Sequence, residues 1–213
     1  MKYRIFAVVV LFASSLMAQS NPTPPASAQG SGGPIFSFHS RGTFAQFFSF
    51  QNNSDVFLSV SRNGEAGQQA STFLNFSSFT FNSDGFTDTF AFGQIPNESL
   101  RSGGDKRVSL NVDLSQVSSF QITTCTFNFT NFTFNCQPGP FGVVQVDWVQ
   151  DGNFSTHLLS NERQQFFQFT IHTQQDSDSS SASVSGSVTG IPVNNGFGNI
   201  GVHHDTQMEF FKN

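Results

Sequence analysis

Charged residues are scarce in this chain of 213 residues. Only 11% are Asp, Glu, Lys or Arg, and the fourteen acidic residues outnumber the nine basic ones, which gives a formal net charge of −5 at pH 7. A protein that binds duplex nucleic acid needs a basic surface to displace counterions. The sequence has no basic cluster beyond Lys106-Arg107. We therefore expect no nucleic-acid partner and no attraction to an anionic membrane surface.

Recognisable catalytic motifs are absent as well. The sequence has no Gly-x-Ser-x-Gly segment, the motif that presents a nucleophilic serine in many hydrolases. Of the five histidines, His203 and His204 are adjacent, so on a strand their side chains would face opposite sides. The sequence predicts a protein that is not an enzyme and that has no resident cofactor.

Tyrosine and tryptophan each occur once, whereas phenylalanine occurs 29 times. Many phenylalanines alternate with Ser, Thr, Asn or Gln at a period of two, which places them on one face of a strand. Such half-polar strands are typical of antiparallel sheets, and no stretch after the first residues has a helical period. We predict an all-β fold of roughly ten to twelve strands, arranged as an antiparallel two-sheet sandwich like a jelly roll.

The first residues have the composition of an export signal. Lys2 and Arg4 precede an apolar run from Ile5 to Leu16, and the small residue Ala18 comes just before a polar stretch. The run is shorter than the about 20 apolar residues that span a bilayer. We predict a signal peptide at 1–18, a flexible linker rich in Pro, Gly and Ser at 19–34, and a single folded domain at 35–213.

Cysteine occurs twice, and a lone pair in an oxidising compartment usually forms a disulfide. The phenylalanines before Thr130-Asn131 have odd residue numbers and those after it have even numbers. This change predicts a two-residue turn at Thr130-Asn131. That turn sets Phe127 opposite Phe134 and Cys125 opposite Cys136. The register that aligns the aromatic residues therefore also aligns the cysteines, at a hydrogen-bonded position with Cα atoms about 5.5 Å apart.

The pair Asp84-Gly85 predicts a second hairpin. It sets Phe79 opposite Phe90 and places the phenylalanines of both strands on one face, together with Asp88. A β-bulge at Ser77-Ser78 would bring the apolar residues upstream onto the same face. Because these parity changes match the turn and disulfide signals, we expect the phenylalanines to form the core rather than a binding surface.

Polar segments dominate the last third of the chain. We predict a turn at Ser160–Arg163, which would place His157 near Phe166, and a polar loop at Asp176–Ser181. Strands are expected on either side of that loop and at the C-terminus.

Three residues around the Asp-Gly turn are candidate calcium ligands. Asn82, Asp84 and Asp88 offer the oxygen atoms that calcium prefers, although the bidentate Glu that ends an EF-hand loop is absent. Because the turn requires Asp-Gly for its backbone, the hairpin alone accounts for Asp84 and Gly85.

Asp147 and Trp148 are candidate ligand-binding residues. Sugars stack on aromatic rings, and a nearby acid could take part in glycan cleavage. Val144, Val146 and Trp148 share parity, however, so we expect the Trp148 side chain to be in the core.

Several segments resemble an uncharacterised group of secreted bacterial proteins. The similarity covers most of the chain after its N-terminal residues and implies secretion and a β fold, with no activity and no site residues. It is carried by the segments DVFLSVSRNG at Asp55–Gly64, TFLNFSSF at Thr72–Phe79, CTFNFTNFTFNCQPGPFGVVQVDW at Cys125–Trp148 and FGNIGV at Phe197–Val202.

Together these features predict a secreted, non-enzymatic interaction module at the cell surface, in the periplasm or in the extracellular space, without a transmembrane segment. Its partner would be a protein or a glycan. The alternative is a secreted carbohydrate-binding or glycan-cleaving jelly roll, which requires Trp148 on a concave sheet face with Asp147 or another acid nearby.

Overall fold

Antiparallel strands account for most of the residues that the structure, a computed structural model, describes (36–51 and 53–211). Two 3-10 turns, Asn97–Ser99 and Leu114–Gln116, are the only helical segments in these ranges. The predicted signal peptide and linker lie outside the described residues. The strands are β1 (Phe36–Gln51), β2 (Ser54–Glu65), β3 (Ser71–Asn82), β4 (Gly85–Ile95), β5 (Leu100–Ser102), β6 (Arg107–Asp113), β7 (Gln121–Asn128), β8 (Thr133–Pro138), β9 (Val143–Gln165), β10 (Phe169–Val188), β11 (Ile191–Pro192) and β12 (Phe197–Phe211).

All twelve strands belong to one sheet. Its order is β5-β6-β9-β10-β12-β1-β2-β3-β4-β7-β8, with β11 paired to β10, and every pairing is antiparallel. The predicted all-β fold and strand number are confirmed. The two-sheet sandwich with a jelly-roll layout is not, because backbone hydrogen bonds join the strands continuously from β5 to β8. Within the described residues, no helix is long and apolar enough to cross a membrane.

The sheet curls so that β5, β6 and β9 cover one face of β1 to β3. The Arg62 guanidinium on β2 donates to the Leu100 carbonyl on β5, at 3.0 Å. The Trp148 indole Nε1 on β9 donates to the Gln46 carbonyl on β1, at 2.9 Å. Two strands separate β9 from β1 and five separate β5 from β2 along the sheet order, so these contacts require the sheet to fold over on itself.

The core lies inside this curl and is mainly aliphatic. Trp148 is fully buried there, as its shared parity with Val144 and Val146 predicted. Only three phenylalanines belong to the core among the residues described. The core side chains are Ala45, Phe47, Val56, Leu58, Val60, Leu74, Phe76, Ala91, Ile95, Leu100, Val108, Leu110, Val112, Leu114, Phe120, Ile122, Val144, Val146, Trp148, Ala182, Val188, Val193 and Ile200.

The cysteine hairpin has the predicted register, and the disulfide joins β7 to β8. Cys125 pairs with Cys136, and Phe127 with Phe134. The connection has four residues, 129–132, rather than the predicted two. A loop longer by two residues exchanges the hydrogen-bonded and non-hydrogen-bonded positions along the ladder. The Cα atoms of the cysteines are accordingly 4.0 Å apart, near the about 4.5 Å of a non-hydrogen-bonded pair.

The register of the β3–β4 hairpin differs from the prediction by two residues. Phe79 pairs with Asp88 instead of Phe90, because the turn residues are Ser83-Asp84 and Asn82 pairs with Gly85. A shift of two leaves each side chain on its predicted face.

The predicted bulge at Ser77-Ser78 is wrong. Pairing runs without interruption through these residues on both sides of β3. Phe76 therefore points into the core, whereas Phe79 points to the opposite face of the sheet.

The polar segments predicted as a turn and a loop are strand. Ser160–Arg163 lies within β9, and Asp176–Ser181 lies within β10. Ser160–Arg163 pairs with β10, and Asp176–Ser181 pairs with β12, so the backbone of each polar segment is hydrogen-bonded to a neighbouring strand. The chain reverses instead around 166–168, where the Phe166 amide donates to the Phe169 carbonyl at 2.8 Å.

Substitution of two adjacent phenylalanines on β1 tests which face of the strand packs against the core. Phe47 is 1% exposed and Phe48 is 46% exposed. We expect Phe47→Ala to lower the free energy of unfolding by about 3–5 kcal/mol, because it opens a cavity in the core. The matched Phe48→Ala should cost about 1 kcal/mol or less. Urea denaturation of both variants measures the difference, and equal losses would contradict the two-sided arrangement.

Removing the disulfide should destabilise the β7–β8 edge. We expect the double variant Cys125→Ala/Cys136→Ala to lose about 3 kcal/mol of stability, the value for a short closed loop. Denaturant unfolding measures this loss. Dithiothreitol should bring the unmodified protein to the same midpoint and leave the variant unchanged; a midpoint insensitive to reduction would argue against a structural role.

Candidate functional site

The most extensive surface feature is an aromatic face on the outside of the sheet. Strand alternation and register place one phenylalanine after another on the side of β1–β4 and β7 that faces away from the core. We call this surface the outer phenylalanine face. It comprises Phe44, Phe48, Phe50, Phe57, Phe73, Phe79, Phe81, Phe86, Phe90, Phe92 and Phe127.

These rings contact one another in stacked and tilted pairs but are not covered by other elements. Phe86 lies between Phe79 and Phe127, with ring centroids 5.2 Å and 5.5 Å away. Phe90 and Phe92 remain 46% and 54% exposed. The expectation that the phenylalanines form the core is therefore wrong for most of them. Leucine, valine and isoleucine fill the inner face, and the aromatic residues that alternate with them point outward.

Two carboxyl groups lie within the outer phenylalanine face. Asp55 on β2 and Asp88 on β4 are both directly opposite Phe79, one on each side. Burial among the rings raises the pKa of both carboxyls above the ordinary value for aspartate. Asp55 Oδ1 is buried and has no hydrogen-bond partner within the described chain. An unpaired acceptor at the centre of an apolar surface is costly unless a donor arrives from outside.

The face carries no positive charge. By strand alternation, none of its positions on β1–β4 and β7 is a Lys or Arg among the described residues. Glu65, at the end of β2, adds a third acid at its margin. The outer phenylalanine face is therefore apolar and weakly anionic.

The calcium candidates have separate positions in the structure. Asn82 Oδ1 accepts a hydrogen bond from the Asp84 amide at 3.0 Å, as is usual for a residue that starts a turn. Asp88 lies further along β4, beside Phe79 on the outer phenylalanine face. Asn82 and Asp84 thus stabilise the turn, and Asp88 belongs to a different environment.

Asp147 and Trp148 face opposite sides of β9. Trp148 is buried, so its ring offers no surface to a sugar, and the observation on which the carbohydrate alternative depends is not met. Asp147 accepts hydrogen bonds from the Ser109 hydroxyl and, at 3.1 Å, from the Arg107 guanidinium. The hydrogen bond from Ser109 has the larger effect, and together with Arg107 it holds the pKa of Asp147 below its usual value. A shallow depression of about 240 Å³ adjoins it.

A polar cluster on β9 and β10 was not predicted from the sequence. His157 pairs directly with Asp178, and its Nδ1 lies 2.8 Å from Asp178 Oδ1 and 3.5 Å from Asp176 Oδ1. The expectation that His157 lies near Phe166 is wrong, because β9 continues to Gln165. The alternation of Asp176 and Asp178 is a signal of a shared strand face, which the prediction of a polar loop at Asp176–Ser181 does not use.

No protein-family model, no curated protein and no solved structure matches this chain.

Asp55, whose pKa is raised, and Asp147, whose pKa is lowered, should affect stability at pH 7 in opposite directions. The raised pKa of Asp55 means that the folded protein binds the proton more tightly than the unfolded chain does. Stability should therefore fall as the pH rises through the interval above 3.8, the ordinary value, and the ionised carboxylate should remain unfavourable at pH 7. Asp55→Asn should stabilise the protein at pH 7 and have little effect near pH 3.

Asp147 serves as the matched control, because its pKa is lowered. Its ionised form contributes stability above the ordinary pKa, and that contribution is lost as the pH falls. Asp147→Asn should therefore destabilise the protein at pH 7. Urea denaturation at pH 7 and near pH 3 measures both variants. A loss of stability at pH 7 on Asp55→Asn would show that this carboxylate has a favourable partner.

Proposed function

We propose that this protein is a secreted, non-enzymatic interaction module whose contact surface is the outer phenylalanine face. The single observation that carries the proposal is the set of half-exposed phenylalanine rings on one side of β1–β4 and β7. Soluble monomeric proteins rarely expose large contiguous apolar patches, and such patches are typical of interaction sites. Secretion is supported by the N-terminal sequence and by the disulfide, which is typical of oxidising compartments.

The chemistry of the face favours a polypeptide partner that is apolar and carries Lys or Arg. Aromatic rings attract cations as well as apolar groups. Asp55 and Asp88 provide two carboxylates among the rings, and Asp55 Oδ1 has an unused acceptor position in the described chain. A basic side chain of a partner would satisfy that acceptor and offset the desolvation that raises the pKa of both acids.

A second copy of the chain fits the face less well. In a two-fold dimer the same patch meets itself. The carboxylates of one protomer would then be buried with those of the other, without a basic residue on the face to neutralise them. Nucleic acid is disfavoured by the same charges.

Binding of a short synthetic peptide that alternates Leu and Lys tests the proposal. The protein should bind this peptide more tightly than a matched peptide that alternates Leu and Glu, as measured by fluorescence anisotropy. The double variant Phe90→Ser/Phe92→Ser should weaken binding of the Lys peptide by about tenfold or more, because central aromatic residues carry most of the binding energy.

The matched control is Phe154→Ser/Phe167→Ser. These two phenylalanines are exposed on β9 and on the turn that follows it, away from the outer phenylalanine face. This variant should bind as the unmodified protein does. Equal binding by both double variants would refute the proposal. Concentration-dependent self-association in sedimentation velocity, abolished only by Phe90→Ser/Phe92→Ser, would identify a second copy as the partner instead.

A further inference from the structure

The cluster of His157, Asp176 and Asp178 has the composition of a metal-ligand set. One nitrogen and two carboxylate oxygens lie within 4.8 Å of one another. In residues 36–51 and 53–211, no other group of three or more His, Cys, Asp or Glu side chains brings its ligand atoms together in this way. The strands impose this arrangement, because His157 and Asp178 are directly paired across β9 and β10, and Asp176 is two residues away on the same face.

We propose that His157, Asp176 and Asp178 bind a Zn²⁺ ion. Two ligands that are each about 2.1 Å from a tetrahedral zinc ion are about 3.4 Å apart. The 3.5 Å between His157 Nδ1 and Asp176 Oδ1 matches this spacing, and the 2.8 Å to Asp178 Oδ1 requires only a small rotation of an exposed side chain.

The mixed donor set favours zinc over calcium. Calcium takes six to eight ligands, all of them oxygen, whereas zinc binds imidazole nitrogen together with carboxylate oxygen in a four-coordinate site. All three side chains are about half exposed, so an ion can reach them without a change in the backbone. Three protein ligands leave the fourth position of the ion to water.

A depression of about 350 Å³ adjoins the two aspartates of the cluster. Asp176 and Asp178 form part of its wall, and His204, which pairs with Asp176 across β10 and β12, lies beside them. Arg41 lines the same depression. Because the positively charged Arg41 side chain repels a cation, we expect moderate zinc affinity, in a range that calorimetry resolves directly.

A zinc ion at this site would link β9 to β10 in a part of the pair that does not pack against the core. Pairing between β9 and β10 shifts register at Ser180 and Ala182, and beyond that bulge the side chains of β9 are almost all exposed. The cluster lies on this outer part of the β9–β10 pair. Metal binding would therefore stabilise the native pairing there in proportion to zinc concentration.

Isothermal titration of the purified protein with ZnCl₂ at pH 7.5 tests the site. We expect one ion per chain. His157→Ala and Asp178→Asn should each weaken zinc binding by about tenfold or more, because each removes one of three ligands. His172→Ala and Asp205→Asn are the matched controls, since His172 lies four residues from Asp176 along β10 and Asp205 occupies the face of β12 opposite to His204, and both should bind zinc as the unmodified protein does. Calcium chloride at the same concentration should give no heat of binding.

Three results would overturn the assignment. One is the absence of zinc binding by the unmodified protein, which would leave the cluster as an ion pair only. Another is zinc binding that survives His157→Ala unchanged, which would place the ion at other histidines. The last is equal loss of affinity in the control variants. The circular dichroism spectrum of each variant establishes that the fold is retained, as expected for substitutions at exposed positions.

Discussion

The two-residue period of side chains along a strand is the constraint on which this structure depends. In an uninterrupted antiparallel sheet without helices, each strand must present one set of side chains to each face. The curl of the sheet covers only one face of β1–β4. Leu58, Leu74 and Val60 occupy that covered face, and every phenylalanine that alternates with them is directed outward. The exposed aromatic surface follows from this geometry, because apolar residues occupy both the odd-numbered and the even-numbered positions of these strands.

The sequence predicted the local features well where two independent signals agreed. The cysteine hairpin is correct because the parity of the aromatic residues and the spacing of the cysteines specify one register. The burial of Trp148 follows from its shared parity with two valines. The β3–β4 register is off by two, since the sequence does not distinguish which two residues around Asp84 form the turn.

The failures have a common physical origin. The expectation that phenylalanine marks the core requires a bulge at Ser77-Ser78 to place Phe76 and Phe79 on one face. When both faces of the sheet are apolar, the same sequence forms regular strands without any bulge. The prediction of a turn and a loop in the polar segments of β9 and β10 fails for a related reason. Their strand conformation depends on hydrogen bonds from neighbouring strands, which local composition does not encode.

The candidate sites were harder to predict than the fold, because both depend on register between strands. Asp55 and Asp88 meet around Phe79 only when β2, β3 and β4 are aligned. His157 meets Asp178 because a bulge near Ser180 sets the alignment of the outer part of β9 with β10. Neither alignment has a signature in the sequence of a single strand.

The pairing of β1 with β12 has a consequence for how the chain folds. The first and last strands are neighbours over thirteen residue pairs near the middle of the sheet order, so they separate β10 from β2. The hydrogen bonds that join the two halves of the sheet can therefore form only after the C-terminal strand is available. Such non-local pairing gives a high contact order, and proteins of this kind fold slowly. Until β12 pairs with it, β1 has an unpaired edge beside the phenylalanine-rich strands, and such edges make a folding chain prone to aggregation.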